Sequence, residues 1–238
     1  EAGAAPSAAP AAPEAEPLEW LFPPLEASSC GAASETGFYE VLPRDASGMA
    51  SPGGYSLCFT DFATLTRVPV CADPGCAHDS EACTGWLTEN TSVAVWNGQL
   101  ILGNLDGSGF QWLDCMEPDG SNRHRLITLP ANLSLLEPVA ASGQAFYGVG
   151  VSVDPNDPEA KPSAGLYRLD PATGRTAELP LPGENRVGEA VPYPLLAEWD
   201  SLFLVETGTR RIDSHLAVIS KEDFWAGKAA YTPITDAR

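Results

Sequence analysis

The chain is 238 residues long and sets 13 Lys and Arg against 32 Asp and Glu, a formal charge of −19 at pH 7 with a pI near 4.3. A hydrophobic share of 44% over this length supports one or two folded domains and excludes a chain disordered throughout. No basic run is present to neutralise phosphates, which argues against nucleic acid as a partner, and Gly 22 with Pro 22 favour short strands and turns over long helices.

The stretch from Glu1 to Pro17 is built of Ala, Pro and Glu with no aromatic or branched aliphatic residue. It buries too little surface to offset its ordering entropy, and a disordered, partly proline-stiffened tether is expected over residues 1–29. Such a tether is what remains after an export signal has been removed, so an extracellular location is expected. Cys30, Cys58, Cys71, Cys76, Cys83 and Cys115 all lie in the first half of the chain. An even set of this kind suits disulfides in an oxidising compartment, with reduced thiols or a metal site in the cytosol as the alternative.

From residue 30 to 238 a unit of roughly 50 residues recurs, each with a pair of strands around a polar turn. The first unit is irregular: an apolar segment at 37–43, a Gly/Pro/Ser loop at 45–54 and an outer pair at 56–70. The second has an inner pair at 92–104 about Asn97-Gly98 and an outer pair at 110–129 about Pro118 to Ser121. The third repeats this at 138–150 about Ser142-Gly143 and at 165–181 about Pro171 to Gly174. The fourth has 194–206 about Trp199-Asp200 and 215–234 about Lys221 to Phe224. Phe59, Cys115, Leu169 and Ile219 align across the four outer pairs. Four strands per unit predict an all-β fold, a β-propeller of about four to five blades or part of a longer one; tandem β-sandwiches are the alternative.

Directly after the first outer pair, residues 71–83 place Cys71, Cys76, His78 and Cys83 close together in sequence. Cys3His is a full tetrahedral zinc set, and a closed set of four is structural rather than catalytic. The spacing lacks the short knuckle of most zinc sites, and the turn Asp73-Pro74-Gly75 could instead bring Cys71 to Cys76 or Cys83 as a disulfide. Cys58 and Cys115 hold comparable places in successive outer pairs and could bridge neighbouring blades or be buried as small apolar residues. The run Pro69-Val70-Cys71, Asp73-Pro74, Cys76, His78 and Cys83 resembles a segment of propeller-like lipoproteins exported by gut Firmicutes. That resemblance implies anchoring at the cell surface through a lipidated cysteine upstream of Glu1, with no enzymatic activity attached and more blades than this chain supplies.

Signals for catalysis are sparse. There is no Gly-x-Ser-x-Gly elbow, phosphate loop or dinucleotide fingerprint. The stretch 104–112 is similar to an Asp-box out of register, and the acidic loop Asp154 to Glu159 departs from the EF-hand pattern at Pro158. Trp86, Trp96, Trp112, Trp199 and Trp225 could line a carbohydrate platform or pack between sheets, packing being the expectation. The reading is a non-enzymatic, surface-exposed binding or scaffold module without a catalytic residue or cofactor, zinc being the alternative. A propeller-type glycan hydrolase and a metal-binding module are the other function classes. Its ligand should be neutral or cationic, a glycan or a protein, and it should meet a membrane only through the lipid anchor.

Overall fold

The computed structural model of the chain describes residues 16–17, 19–22, 31–44, 54–87, 91–105, 109–142, 145–154, 156–157, 159, 162–179, 195–207, 215–226, 228 and 230–234. Two short strands come first, β1 (Glu16–Pro17) and β2 (Glu19–Phe22). Blade I follows as β3 (Gly31–Ala33), β4 (Gly37–Pro43), β5 (Tyr55–Asp61) and β6 (Arg67–Pro69), with β7 (Trp86–Leu87) also on the edge of β5. Blade II is β8 (Thr91–Trp96), β9 (Gln99–Leu105), β10 (Phe110–Met116) and β11 (His124–Thr128). Blade III is β12 (Leu133–Ser142), β13 (Ala145–Ser152), β14 (Ser163–Asp170) and β15 (Arg175–Leu179). Blade IV is β16 (Leu195–Glu198), β17 (Leu202–Thr207), β18 (His215–Ser220) and β19 (Thr232–Pro233).

Each blade is an antiparallel meander in which every strand pairs with the next. The turns have the chemistry their sequence promises. Asn97 and Gly98 both take positive φ, 50° and 77°, as the two-residue turn between β8 and β9 requires. Asp61 and Asp170 each accept two backbone N–H groups from the turn that follows, closing the outer hairpins of blades I and III. The fourth outer turn differs from a hairpin. Ser220 caps a five-residue helix, α1 (Lys221–Trp225), accepting the Asp223 N–H at 3.0 Å.

Three apolar cores decide between the two architectures. One joins blades I and II through Tyr39, Val41, Leu57, Val93, Leu100, Leu102 and Met116. A second joins blades II and III through Ile101, Leu113, Cys115, Leu135, Phe146 and Leu169, and a third joins blades III and IV through Tyr147, Leu166, Phe203, Val205 and Ile219. Along β9, Leu100 and Leu102 turn to blade I while Ile101 turns to blade III, so the period of two is apolar on both faces. Two tandem sandwiches would leave no core between the second and third sheets. A β-propeller stacks every blade on the next, and the chain is of this class. Among the described residues no such core joins blade IV to blade I.

The tether expected over 1–29 is corrected at residues 16–17 and 19–22. β1 pairs with β16 and β2 pairs with β12, running along the inner strands of blades IV and III. The reason is Trp20-Leu21-Phe22, which follows the Ala/Pro stretch. Leu21 and Phe22 are buried in the core between blades II and III, and the Phe22 ring lies 4.8 Å from that of Phe110. Residues 1–15, Cys30, most of the loop at 45–54 and Gly143 lie outside the described residues.

Candidate metal centre

The loop carrying Cys71, Cys76, His78 and Cys83 leaves and rejoins a single strand. β6 pairs with residues 58–60 of β5 and β7 with residues 55–56, so both lie end to end along one edge. Leu57 closes the gap between them: its carbonyl accepts the Val70 N–H at 2.9 Å and its N–H donates to the Gly85 carbonyl at 3.0 Å. The feet of the loop pinch so tightly that a Cβ on Gly85 would stand 2.3 Å from the Val70 carbonyl oxygen. Between these feet the loop has little apolar residue content and needs another source of order.

That order comes from the ligand set. Asp73-Pro74-Gly75-Cys76 forms a turn in which the Cys76 N–H donates to the Asp73 carbonyl at 3.1 Å and the Gly75 N–H to Asp73 Oδ1 at 2.8 Å. His78 then takes φ 55°, a conformation uncommon for a residue with a side chain. Its N–H reaches Cys76 Sγ and its ring Nδ1 lies 3.3 Å from Cys83 Sγ. The three sulfurs and one imidazole nitrogen all lie within 4.8 Å of one another. A tetrahedral zinc with bonds of ~2.0–2.3 Å separates its ligand atoms by ~3.3–3.8 Å, so the widest pair of the set, at up to 4.8 Å, needs to contract by about 1–1.5 Å to close on an ion.

The electrostatics pull the thiols of the cluster in opposite directions. Burial acts to raise the Cys71 thiol, and the Asp73 and Thr84 backbone with the Cys83 and Cys76 thiols outweigh it, leaving it below the ordinary value. Burial pushes Cys83 up to about 12, with the neighbouring thiols adding to the rise. Three thiols this close cannot all ionise alone, and a divalent cation bound among them would replace their protons.

The loop also braces blade I against blade II. The hairpin between β10 and β11 reaches over it, and a Cβ on Gly120, whose φ is +88°, would stand 2.9 Å from both the backbone N and the Cα of Cys71. Arg123 donates from Nη1 to the carbonyls of Thr84 and Trp86 at 2.9 and 3.0 Å, and from Nη2 to Asp114 at 3.2 Å. Arg125 donates to the other Asp114 oxygen at 2.6 Å. On the blade I side buried Arg44 donates to the Tyr55 and Leu87 carbonyls and stacks on Trp86. Arg44, Asp114, Arg123 and Arg125 carry no motif in the sequence; only the fold brings them to the loop.

The remaining cysteines are buried singly. Cys58, Cys71, Cys76, Cys83 and Cys115 are all unbridged thiols. A bridge from Cys58 to Cys115 is corrected on geometric grounds: Cys115 points into the core between blades II and III, whereas Cys58 alternates with Leu57 and Phe59, which face blade II. Burial raises both thiols above the ordinary value. The turn at Asp73 to Cys76 and the positive φ of His78 bring the three sulfurs expected to form disulfides together with the His78 ring in one cluster.

Other sequence candidates do not converge. The described part of the 154–159 loop forms exposed turns in which Asp154 and Asp157 accept backbone N–H groups two residues on. Asp106, Gly107 and Ser108 of the Asp-box-like stretch lie outside the described residues. Trp96 packs edge-on against Phe146 and Trp112 lies under Arg125.

No protein-family profile matches the chain, and no curated protein matches it in sequence. Among solved structures it is similar to an oligogalacturonate lyase in complex with manganese, at 12% identity and TM-score 0.48, over 82% of this chain and 50% of that one. It is also similar to dipeptidyl peptidase 4 of Porphyromonas gingivalis, at 10% identity and TM-score 0.48, over 84% of this chain and 24% of that one. The Bacteroides ovatus xyloglucan PUL GH43B protein aligns at 12% identity and TM-score 0.33, over 94% of this chain and 44% of that one. The chain spans half the length of the first and less of the others, and these likenesses say nothing about its chemistry.

Proposed function

We propose that this chain is a non-enzymatic binding or scaffold module, exported and anchored at the cell surface, whose propeller is clamped by Zn2+ on Cys71, Cys76, His78 and Cys83. The observation that carries the metal is the convergence of four soft and borderline ligand atoms within 4.8 Å. With three thiolates and an imidazole the set is closed and leaves no position for a substrate, so the ion holds structure rather than performing chemistry. What it holds is the seam between blades I and II, on which the loops of both blades depend.

The glycan-hydrolase reading needs two available carboxylates facing one cleft. Asp114, the buried acid beside the loop, has each of its oxygens held by an arginine and is spent on structure. The test is elemental analysis of the protein purified under reducing, chelator-free conditions. One zinc per chain is expected, retained by His78→Cys and lost from Cys76→Ser. Metal-free protein in that preparation, or a disulfide among Cys71, Cys76 and Cys83 in protein purified without reductant, would overturn the proposal.

A further inference from the structure

The first and last blades each keep one face that no described core covers. In blade IV, Phe203, Val205 and Ile219 turn to blade III, so the alternation of β17 and β18 turns Leu202, Leu204, Leu216 and Val218 the other way. Leu204 pairs with Val218, and the Ile234 N–H donates to the Leu216 carbonyl at 2.8 Å, which brings Ile234 onto the same face. Leu202, Leu216 and Ile234 are 37%, 41% and 49% exposed. Strands apolar on both faces mark a sheet packed on both sides, as β9 is between blades I and III. In blade I, Tyr39, Val41 and Leu57 turn to blade II, leaving Phe38, Glu40, Leu42, Cys58 and Thr60 on the other face. Glu40 pairs with Arg67 at 2.7 Å, and the ring of Phe38, 37% exposed, lies over Gly31. In a chain of net charge −19, the apolar set of blade IV and this internally neutralised face of blade I are places where two copies can meet without opposing carboxylates.

What fits a propeller blade with a free face is another blade. Each of the three seams in the chain stacks unlike faces, the far face of one blade on the near face of the next, and the far face of blade IV on the near face of a blade I continues that order. Contacts between unlike faces close into a ring only when their rotation completes. Two copies supply eight blades, within the ~4–8 that close, and a third copy overshoots. Area favours the closed pair as well. With strands ~4.8 Å apart and ~3.3 Å per residue, blade I and blade IV each present roughly 300 Å² of sheet plane. One contact would bury roughly 600 Å², the size of a chance crystal contact, whereas the two contacts of a closed pair bury roughly 1,200 Å², where specific interfaces begin. We infer that the chain pairs with a second copy of itself, blade IV of each stacking on blade I of the other, to complete an eight-bladed ring. No zinc ligand lies on either face, so the inference stands apart from the metal reading.

The experiment is sedimentation equilibrium, with light scattering on a sizing column, of the full 238-residue chain from about 1 to 200 μM in reductant. A particle of twice 25.1 kDa is expected, with a dissociation constant on the order of 10 μM set by the modest area. Added salt should tighten the pair, because it screens the repulsion between two chains of charge −19. Leu216→Asp and Phe38→Asp, both at exposed positions, should each weaken pairing about tenfold at each of the two contacts, about a hundredfold in all. Phe38→Asp also separates this ring from a pairing of blade IV with blade IV, which would not respond to it. A monomer throughout the range, a ladder of species growing with concentration, or a pair indifferent to either variant would each overturn the inference. Zinc-loaded monomer refutes the ring alone; a zinc-free pair refutes the clamp alone.

Discussion

Removing the ion should loosen one seam of the propeller and leave the rest folded. The perturbation is Cys76→Ser, which takes one ligand from a half-buried position without disturbing a core, compared with wild-type protein stripped by chelation. The proposed ion would cross-link residues 71 to 83, and a covalent staple closing a loop of ~15 residues contributes about 3 kcal/mol through lost unfolded-state freedom. Part of this is already supplied by the bonds of Leu57 to Val70 and Gly85, so about 2 kcal/mol is the better expectation. For a chain of this size each kcal/mol moves Tm by ~2–4 °C, which places the shift at about 4–8 °C. The assay is thermal unfolding in reductant with limited proteolysis of the folded protein. Cutting between residues 72 and 82 should appear in both perturbed samples, and chelator should have no further effect on Cys76→Ser. His78→Cys should keep the wild-type Tm. Zinc-loaded wild type and Cys76→Ser that share one Tm and one protease pattern would refute the clamp as a source of stability.

Gly120→Ala should cost about 2 kcal/mol, since it strains a left-handed turn and drives a Cβ against the Cys71 backbone; chemical denaturation measures it, and a neutral result would deny the hairpin's close approach. Asp114→Ala strands two arginines at a partly buried position and should lower stability by about 2 kcal/mol, discounted from the fully buried case because Arg125 is half exposed. Stability should also fall with acid. Hydrogen bonds from the Thr64 backbone, the Ser121 hydroxyl, the Thr173 hydroxyl and the Lys228 ammonium hold Asp61, Asp119, Asp170 and Asp223 below their ordinary pKa. Carboxyl groups with depressed folded values contribute above their unfolded pKa of ~3.9 and lose that contribution as pH drops through the folded value. Denaturant midpoints measured from pH 6 to pH 2 should therefore decline below about pH 4, and less steeply in Asp170→Asn; identical profiles would contradict the turn assignment.

The blades were legible because the strand pattern and the turn chemistry agree. Asn97-Gly98 and Pro171 to Gly174 mark tight turns by residues whose backbones favour them, and the apolar runs between them repeat at a spacing of roughly 50 residues. The fourth outer turn was not legible as a helix, since Lys221 to Trp225 owes its helical form to the Ser220 cap and to Phe224 packing on Phe203, with ring centroids 4.9 Å apart. The N-terminal strands were hidden for a related reason. An Ala/Pro/Glu segment reads as a tether until the tertiary fold offers its last apolar residues an open inner edge, and Leu21 and Phe22 then gain more by burial than the chain loses by ordering.

At the candidate centre the sequence supplied the ligands and withheld the choice between bridge and ion. Spacing alone allows a disulfide within 71–83, because Asp73-Pro74-Gly75 turns the chain whichever chemistry follows. What motivates the zinc proposal is the direction of His78, whose left-handed backbone turns its Nδ1 to within 3.3 Å of Cys83 Sγ. Strain of this kind persists only where the surroundings repay it, and in the zinc proposal an ion shared by this imidazole and the three sulfurs would do so. The brace extends the same logic across the seam. Gly120 admits the loop against blade II, and Arg123 fastens its last residues while holding Asp114. The ligand set and the hairpin thus meet at one seam, where Gly120 and Arg123 hold the two ends of the loop that carries Cys71 and Cys83.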